Sequence, residues 1–377
     1  MSNAATMTPD SENAVQKIDQ TSKGKVSVLI LAHNERSELT VCLASIMRQT
    51  YSNFEIIVVN SGSTDDTTSF VQSEYPQVNL LVSDDNLGYR RGNRLGFKAA
   101  TGEYILVLNA DTELAPDCLA QLVAAGEEDS KVGLVAPKIL MFYDRQVINE
   151  VGNTLHFTGM CNSRGLGEPS ANYMQPETLG AISGAGFLVR RDLLERLGGF
   201  SEVFDLLDTG FHSCGEEYDL AWRAQMAGYH IRLAPKALIY HKYLSKPMSG
   251  PKFSTFEFGR WMVVLLNYEL KTLLLLLPVL ILLDVMVWVY VLAKGRDWFI
   301  AKWKVASWII LNIPLLRAIR RRVQSQRVVG DGAVLKNLSP TINVFYIVSR
   351  RSWARWLQGV VDSVFGAYYN LLLRVAG

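Results

Sequence analysis

The acidic residue with the clearest chemical setting is Asp111, which comes three residues after the end of the apolar run 104–108. A single aspartate after a strand is most often a turn or capping residue. However, α/β proteins bind ligands beyond the carboxyl ends of parallel strands. A carboxylate there can hold Mg²⁺ or Mn²⁺ against phosphate oxygens. His241 follows another strand-like run; a lone histidine is more often structural, but this one is also a candidate to complete a metal site.

A second acidic group comprises Glu216, Glu217 and Asp219. If all three were ionised in one cleft they would repel one another, so at least one pKa is expected to be raised. The same residues suit the first turn of a helix, where the macrodipole favours negative charge. The two interpretations are compatible, because a helix start would hold the carboxylates rigidly. A carboxylate of this kind can accept the proton of an attacking hydroxyl.

A third feature is the segment 86–96, which contains three glycines and three arginines. Such residues can bring backbone and guanidinium groups close to phosphates. The segment matches neither the dinucleotide-binding fingerprint nor the P-loop, so glycine spacing alone is weak support.

Four apolar runs rich in β-branched residues are predicted to form the strands that position these residues. The segments between the first runs have the apolar spacing of helices. The predicted strands are residues 26–31, 55–59, 79–83 and 104–108, and the first two predicted helices are residues 39–47 and 68–75. This alternation predicts a parallel sheet with right-handed crossovers.

The composition narrows the function classes. The 377 residues are 49% hydrophobic and carry a net charge of +2, which suits one or two cores and argues against a nucleic-acid-binding protein. The four cysteines lack metal or disulfide spacing, which indicates reduced thiols. Residues 1–24 are polar and lack the apolar core of a signal peptide, so they predict a disordered tail ahead of a domain on the cytosolic side.

The last third of the sequence has the longest apolar runs. Residues 272–293 have the length of a membrane span, although a buried helix of a soluble domain has the same pattern. The next run, residues 305–316, is short and bordered by cations, which suits an interfacial or re-entrant segment. Residues 353–375 have the spacing of an amphipathic helix, and residues 242–258 read as a linker. Membrane association is predicted, and its topology is left open.

Taken in order, these motifs resemble those of family 2 glycosyltransferases with the GT-A fold, particularly the membrane-associated branch with bacterial rhamnosyltransferase-like enzymes. The resemblance covers roughly residues 25–327. It implies an α/β GT-A domain at 25–250, with a mainly parallel sheet flanked by helices. The nucleotide-binding half is expected at 25–130 and the acceptor half at 131–250, followed by membrane-associated helices at 251–377.

The resemblance also assigns roles to individual residues. Donor-binding positions are Ala32, Asn34, Glu35, Asn60, Gly62, Asp65, Asn86, Gly88, Arg91, Asn93 and Asn109. Acceptor-side positions are Gly184, Gly186, Glu216 and Asp219. Asp111 with His241 is expected to hold Mg²⁺ or Mn²⁺, and Glu217 to act as the catalytic base.

Three positions depart from the family pattern. Asn109 replaces the first acid of the D-x-D motif, so Asp111 would hold the metal nearly alone. Asn60 or Ser61 stands where a base-reading aspartate is common, which leaves uridine, thymidine and guanosine donors open. Glu217 stands where an aspartate is expected and is one methylene longer.

The sequence therefore predicts an inverting, metal-dependent transfer of sugar from a nucleotide-sugar to a lipid-linked saccharide or surface glycan. The reaction is expected at the cytoplasmic membrane face, with membrane lipids as partners, no nucleic acid, and the oligomeric state left open. Two alternatives remain: a polyprenyl-phosphate glycosyltransferase, and a non-catalytic, membrane-tethered scaffold that binds nucleotide-sugars.

Overall fold

The computed structural model describes residues 24–207, 215–243, 247–341 and 352–376. The predicted disordered tail lies outside the described residues except for Gly24, and Cys214 lies outside them as well.

A mixed sheet of nine strands is the centre of the described structure. Its path runs β3-β2-β1-β4-β10-β6-β11-β5, and β7 pairs with β6. The strands of this sheet and of the separate β8–β9 pair are β1 Val26–Ala32, β2 Phe54–Ser61, β3 Asn79–Ser83, β4 Tyr104–Asn109, β5 Thr112–Leu114, β6 Val132–Met141, β7 Ile148–Glu150, β8 Asn153–Leu155, β9 Cys161–Ser163, β10 Gly186–Arg190 and β11 His230–His241. Strands β3, β2, β1, β4, β6 and β11 run in one direction, so the mainly parallel α/β fold is confirmed.

Helices cover the sheet and form a C-terminal bundle. They are α1 Arg36–Met47, α2 Thr67–Glu74, α3 Gly88–Ala99, α4 Cys118–Glu127, α5 Arg191–Leu197, α6 Glu216–Met226, α7 Gly250–Asn267, α8 Leu270–Lys294, α9 Arg296–Leu311, α10 Ile313–Ser325, α11 Asp331–Leu335 and α12 Ser352–Ala376. The predicted strands and early helices each match one of these elements, with boundaries shifted by a few residues at most.

The register of the sheet brings the polar strand ends to one edge. Ala32 pairs with Asn60 across β1 and β2, and Leu31 pairs with Asn109 across β1 and β4. The antiparallel β10 begins at this edge, where the Asn109 amide donates to the Ala185 carbonyl (3.1 Å). Residues distant in sequence therefore meet at the carboxyl ends of the parallel strands, as the sequence predicts.

Glycines in segment 86–96 serve packing of α3 on the sheet. A Cβ added to Gly92 would lie 2.3 Å from Leu31 Cδ1, and one added to Gly96 would lie 2.1 Å from Leu29 Cδ1. Both glycines are buried within the helix. Their small size allows the helix to approach the strand closely. Packing therefore explains both glycines without a role in phosphate binding.

The predicted linker at 242–258 is wrong in its second half, because α7 begins at Gly250. Ser249 caps this helix by accepting a hydrogen bond from the Lys252 amide (3.4 Å). Pro251 stands in the first turn, where a backbone N–H would have no acceptor within the helix, so the proline removes no helical hydrogen bond. The proline that suggested a linker therefore starts a helix. Because α7 contacts α6, α9 and α10, it joins the C-terminal bundle to the α/β domain.

Candidate active site

Asn34 connects the loops that follow β1 and β2. Its backbone is left-handed (φ 56°), a conformation that asparagine tolerates better than most residues. Its Oδ1 accepts from the Thr64 amide (2.7 Å), and its own amide donates to Ser63 Oγ (2.9 Å). The two loops predicted to hold the donor are therefore one hydrogen-bonded unit.

Three other predicted donor residues shape this unit. Asn60 is buried, and its Oδ1 accepts from the Ser63 amide (3.2 Å). Asp65 accepts from the Thr67 amide (3.1 Å) at the start of α2. Gly62 has a φ of +66°, and a Cβ there would lie 2.5 Å from the Asn86 amide nitrogen. Gly62 thus lets the loop before α3 approach the end of β2.

The predicted donor residues near α3 are placed differently from one another. Asn86 Oδ1 accepts from the amide of Gly88 (2.9 Å), the first residue of α3. Asn93 is buried and donates to the Tyr89 carbonyl (2.8 Å), so its side chain belongs to the helix packing. Arg91 is 62% exposed and lies 3.3 Å from Asp205 Oδ2, which also pairs with the buried Arg90. These two arginines therefore face the turn at Glu202–Asp205.

Asp111 and His241, the predicted metal ligands, lie next to each other. Their Oδ1 and Nε2 atoms are 3.3 Å apart, and the Lys242 amide donates to the Asp111 carbonyl (3.0 Å). The pairing of β11 with β5 produces this contact, because His241 stands opposite Thr112. Two residues separated by 130 positions thus share the sheet edge where β4 ends.

The hydrogen bonding of His241 suits a cation ligand. Its Nδ1 lies 2.8 Å from Asn149 Oδ1, and an amide oxygen only accepts, so Nδ1 carries the hydrogen in the neutral ring. Nε2 then presents a lone pair towards the Asp111 carboxylate. A bound cation satisfies two such electron-rich atoms, and a hydrogen bond that fixes the other ring nitrogen is typical of metal-ligating histidines.

The protein supplies few ligands at this point. Among the residues that the structure describes, no group of three or more His, Cys, Asp or Glu side chains is arranged to hold a metal. Mg²⁺ commonly takes one or two protein carboxylates and completes its shell with substrate phosphates and water. Asp111 and His241 therefore fit a cation that arrives with a diphosphate better than a permanently held one.

Glu35 is a further acid close to Asp111. Burial, and then the negative charge of Asp111, raise the pKa of Glu35 to about 7, against the lowering effect of a hydrogen bond from the His33 backbone. Positive charge near Asp111 would lower this pKa again. The loop after β1 therefore lies close to the candidate metal position.

Glu217 lies at the start of α6 and against the loop that precedes β10. A Cβ added to Gly184 would lie 2.2 Å from Glu217 Oε1, so this position leaves no room for a side chain. Burial, and then the charge of Glu150, raise the pKa of Glu217 to about 7, against a backbone hydrogen bond that lowers it. The direction agrees with the prediction for this acidic group, but the predicted cause is wrong, because burial and Glu150 raise this pKa and repulsion from Glu216 and Asp219 does not.

Glu150 belongs to the same group of acids, although no local sequence pattern marks it. It ends β7, and Ser183 Oγ donates to its carboxylate. Burial raises the pKa of Glu150, although hydrogen bonds from Ser183 and Ser163 oppose this, as does the charge of His241 when its ring is protonated. Glu150 therefore interacts with His241 and with Glu217, and it connects the candidate metal position to the candidate base.

We expect Glu150→Gln to move the acid limb of the pH–rate profile to lower pH. Removing the Glu150 charge lowers the pKa of Glu217, so the unprotonated base persists at lower pH. The measurement is kcat/KM across pH 5–9 for wild type and variant, with the exposed Glu168→Gln as control. A uniform loss of rate with an unmoved limb would show that Glu150 has only a structural role.

Tyr89 is a second residue that the sequence analysis did not single out. Its hydroxyl donates to the Gly184 carbonyl (3.1 Å). Burial, with the charges of Glu217 and then Glu216, raises the pKa of Tyr89 well above its usual value. Tyr89 thus holds the backbone of the residue that packs against the Glu217 carboxylate.

The remaining predicted acceptor-side residues are buried in the elements that position the site. Asp219 is completely buried, pairs with Arg223 (2.7 Å) and accepts from Asn267 Nδ2 (3.0 Å). Glu216 is buried and interacts with the charge of Arg90. Gly186 lies within β10, where a Cβ would meet Ile239 Cδ1 at 3.0 Å. These residues hold α6 and β10 in place.

Comparisons with known proteins agree with this arrangement. Residues 27–198 match the sequence model of Glycosyl transferase family 2. The chain is 28% identical over 227 residues to the probable glycosyltransferase YdaM of Bacillus subtilis (strain 168), covering 58% of this chain and 50% of that protein. It is 26% identical over 234 residues to the O-antigen biosynthesis protein RfbC of Myxococcus xanthus, covering 59% of this chain and 18% of that protein. The chain thus spans half or less of these relatives' own length.

A solved structure shares the fold. The crystal structure of GalNAc-T7 with UDP, GalNAc and Mn²⁺ superposes with a TM-score of 0.52 at 18% identity, covering 63% of this chain and 48% of that chain. The sheet and the helices around it therefore have the GT-A fold. Within that fold class, residues 27–198 match the model of glycosyltransferase family 2, in agreement with the family predicted from the motifs. The rhamnosyltransferase-like branch stays a prediction.

Proposed function

We propose that this protein is an inverting, metal-dependent glycosyltransferase that moves a sugar from a nucleotide-sugar to an acceptor hydroxyl. The observation that carries the proposal is the linked group Asp111, His241, Glu150 and Glu217 at one edge of the sheet. It supplies a position for a cation and, next to it, a carboxylate with a pKa of about 7. A base with this pKa is well matched to proton transfer near neutral pH.

In the proposed reaction, Glu217 takes the proton of the acceptor hydroxyl as the oxygen forms its bond to the anomeric carbon. The bond from that carbon to the diphosphate oxygen breaks on the opposite face, and the nucleoside diphosphate leaves with the electron pair. Asp111 and His241 would hold Mg²⁺ or Mn²⁺, which supplies positive charge to the diphosphate. Asn34 and Gly62 keep the donor loops in position.

The acceptor is proposed to be a lipid-linked saccharide or surface glycan at the cytoplasmic membrane face. Two observations support this. Helix α8 is long and apolar enough to enter a membrane, with a mean hydropathy of 2.6 over its most apolar window. The relative RfbC is described as an O-antigen biosynthesis protein.

The test is turnover of a donor panel by the full chain in detergent. We expect one class among UDP-, GDP- and dTDP-sugars to release its nucleoside diphosphate with Mn²⁺ or Mg²⁺ and extracted membrane lipid, and EDTA to abolish the release. Turnover that persists in EDTA would contradict the metal requirement. Binding of a nucleotide-sugar without any turnover would favour the non-catalytic scaffold.

A further inference from the structure

Helix α8 has two opposite faces that both run along its whole length. The buried face packs on the protein and comprises Thr272, Leu276, Val279, Leu280, Leu283, Val287 and Val291. The other face exposes large apolar side chains, namely Leu270, Leu274, Leu277, Ile281, Leu282, Val285, Val289 and Leu292. The buried face extends over 20 residues, from Thr272 to Val291, or about 30 Å at 1.5 Å per residue. The helix therefore lies along the protein and does not project from it.

A buried ion cluster fixes the middle of α8 to its neighbours. Asp284 lies 3.4 Å from Arg260 of α7 and pairs with Lys302 of α9. Lys302 and Arg260 both pair with Glu257, and Arg260 does so at 2.7 Å. Breaking a buried ion pair leaves an uncompensated charge, so this junction resists separation.

Helix α7 is fixed in turn to the helix that carries the candidate base. A Cβ added to Gly215 would lie 3.1 Å from the Cα of Gly259, the neighbour of Arg260. At the end of α7, Asn267 Nδ2 donates to Asp219 Oδ1 in α6 (3.0 Å). The middle of α8 is thus in direct ionic contact with α7, and α7 in turn contacts the start of α6.

This connection decides how α8 can meet a bilayer. A helix of 25 residues is about 37 Å long, enough to cross the hydrocarbon core of about 30 Å. If α8 crossed, Asp284 would lie near the bilayer centre, and Arg260 and Gly259 would lie at a similar depth. The start of α6, two residues before Glu217, would then be drawn into the hydrocarbon. A water-soluble nucleotide-sugar does not reach such a site.

We infer that α8 lies in the plane of a single membrane leaflet, with its exposed apolar face in the acyl region and both of its ends on the side of the catalytic domain. The inference deepens the membrane part of the proposed function and rests on it. The bilayer partner is a leaflet with anionic headgroups, because exposed cations border the apolar surfaces: Lys271, Lys294, Arg296, Lys304, Arg317 and Arg321.

Neighbouring helices present matching apolar surfaces. Helix α12 contacts α8 through the bond from the Tyr368 hydroxyl to the Leu275 carbonyl, and it exposes Val360, Val364, Leu371 and Val375 along one side. Helices α9 and α10 meet at an angle of 75°, and the corner between them exposes Ile310, Leu311, Ile313 and Leu315. A bent corner of this kind enters one leaflet without crossing it.

Labelling of the two helix ends tests the inference. Lys271→Cys and Lys294→Cys are compared with Ser130→Cys, which marks an exposed turn of the catalytic domain. We expect a membrane-impermeant maleimide to label all three from the same side, in inverted vesicles and not in right-side-out ones. Labelling of the two helix ends from opposite sides would overturn the inference, and so would loss of the protein from the membranes on washing with buffer.

A second measurement separates lipid contact from misfolding. Ile281→Glu is compared with Met174→Glu, which is an exposed apolar residue of the α/β domain. We expect Ile281→Glu to weaken co-sedimentation with phosphatidylglycerol-containing vesicles by about tenfold or more, since it removes apolar contact and adds a charge that lipid disfavours. Met174→Glu should have no such effect. Equal binding by both variants would overturn the inference, while donor turnover in detergent reports separately on the transferase proposal.

Discussion

Glu217→Gln is expected to lower the rate of glycosyl transfer by about a hundredfold to ten-thousandfold, the usual contribution of a general base. The glutamine amide has the size of the carboxylate, so it occupies the same space beside Gly184. It cannot take the proton from the hydroxyl of the acceptor substrate. In the wild type, activity should rise as the pH increases through about 7, because Glu217 acts only when unprotonated. The measurements are kcat for the variant and the pH dependence of kcat/KM for the wild type.

The control is Glu74→Gln, an exposed acid on α2, which should keep wild-type kinetics. Circular dichroism and donor binding would show that the Glu217 variant is folded. Near wild-type transfer by a folded Glu217→Gln would refute the assignment of the base. It would instead favour transfer to a polyprenyl phosphate, because a phosphate nucleophile is already ionised and requires no strong base.

Asp111→Asn is expected to lower kcat/KM by about a hundredfold or more, as removal of a charged group that stabilises a leaving diphosphate does. The amide keeps the shape of the side chain and removes its charge next to His241. Because Asn109 is already neutral, no carboxylate at that position compensates for the loss of the Asp111 charge. Titration with Mn²⁺ should show that the variant needs a higher concentration for half-maximal activity.

His241→Gln is the matched second variant and should show a smaller shift in the same direction, because it removes a neutral ligand. Asp117→Asn, an exposed aspartate at the start of α4, is the control. An Asp111→Asn protein with an unchanged metal requirement and rate would place the cation elsewhere. A rate loss without a change in metal dependence would assign Asp111 to donor binding alone.

The parts of the site at strand ends were predictable from sequence. Asp111 stands just after an apolar run that becomes polar, and the sheet brings such strand ends to one edge. His241 was a candidate ligand because its imidazole follows a strand-like run, but its contact with Asp111 could not be derived from spacing, since 130 residues separate them. Local pattern therefore identified the elements, and the sheet pairing determines which residues meet.

Other parts of the site have no local signature. Glu150 ends a strand of three residues, too short to show periodicity, and its role comes from pairing with β6 and from contact with Ser183. Tyr89 lies in segment 86–96, whose glycines and arginines together suggested contact with phosphates. Small residues serve close helix–sheet packing equally well, and Gly92 and Gly96 do so here.

The close contact between Gly215 and Gly259 has a consequence for acceptor choice. It leaves no flexible tether between α6 and α7, so, with α8 in a leaflet as proposed, the carboxylate of Glu217 would sit at a set height above the headgroups. A hydroxyl carried on a short lipid-linked sugar reaches that height directly, whereas one on a long glycan has to fold back towards the surface. The contact between α6 and α7 would then limit how far the growing sugar can extend from its lipid and still reach the base.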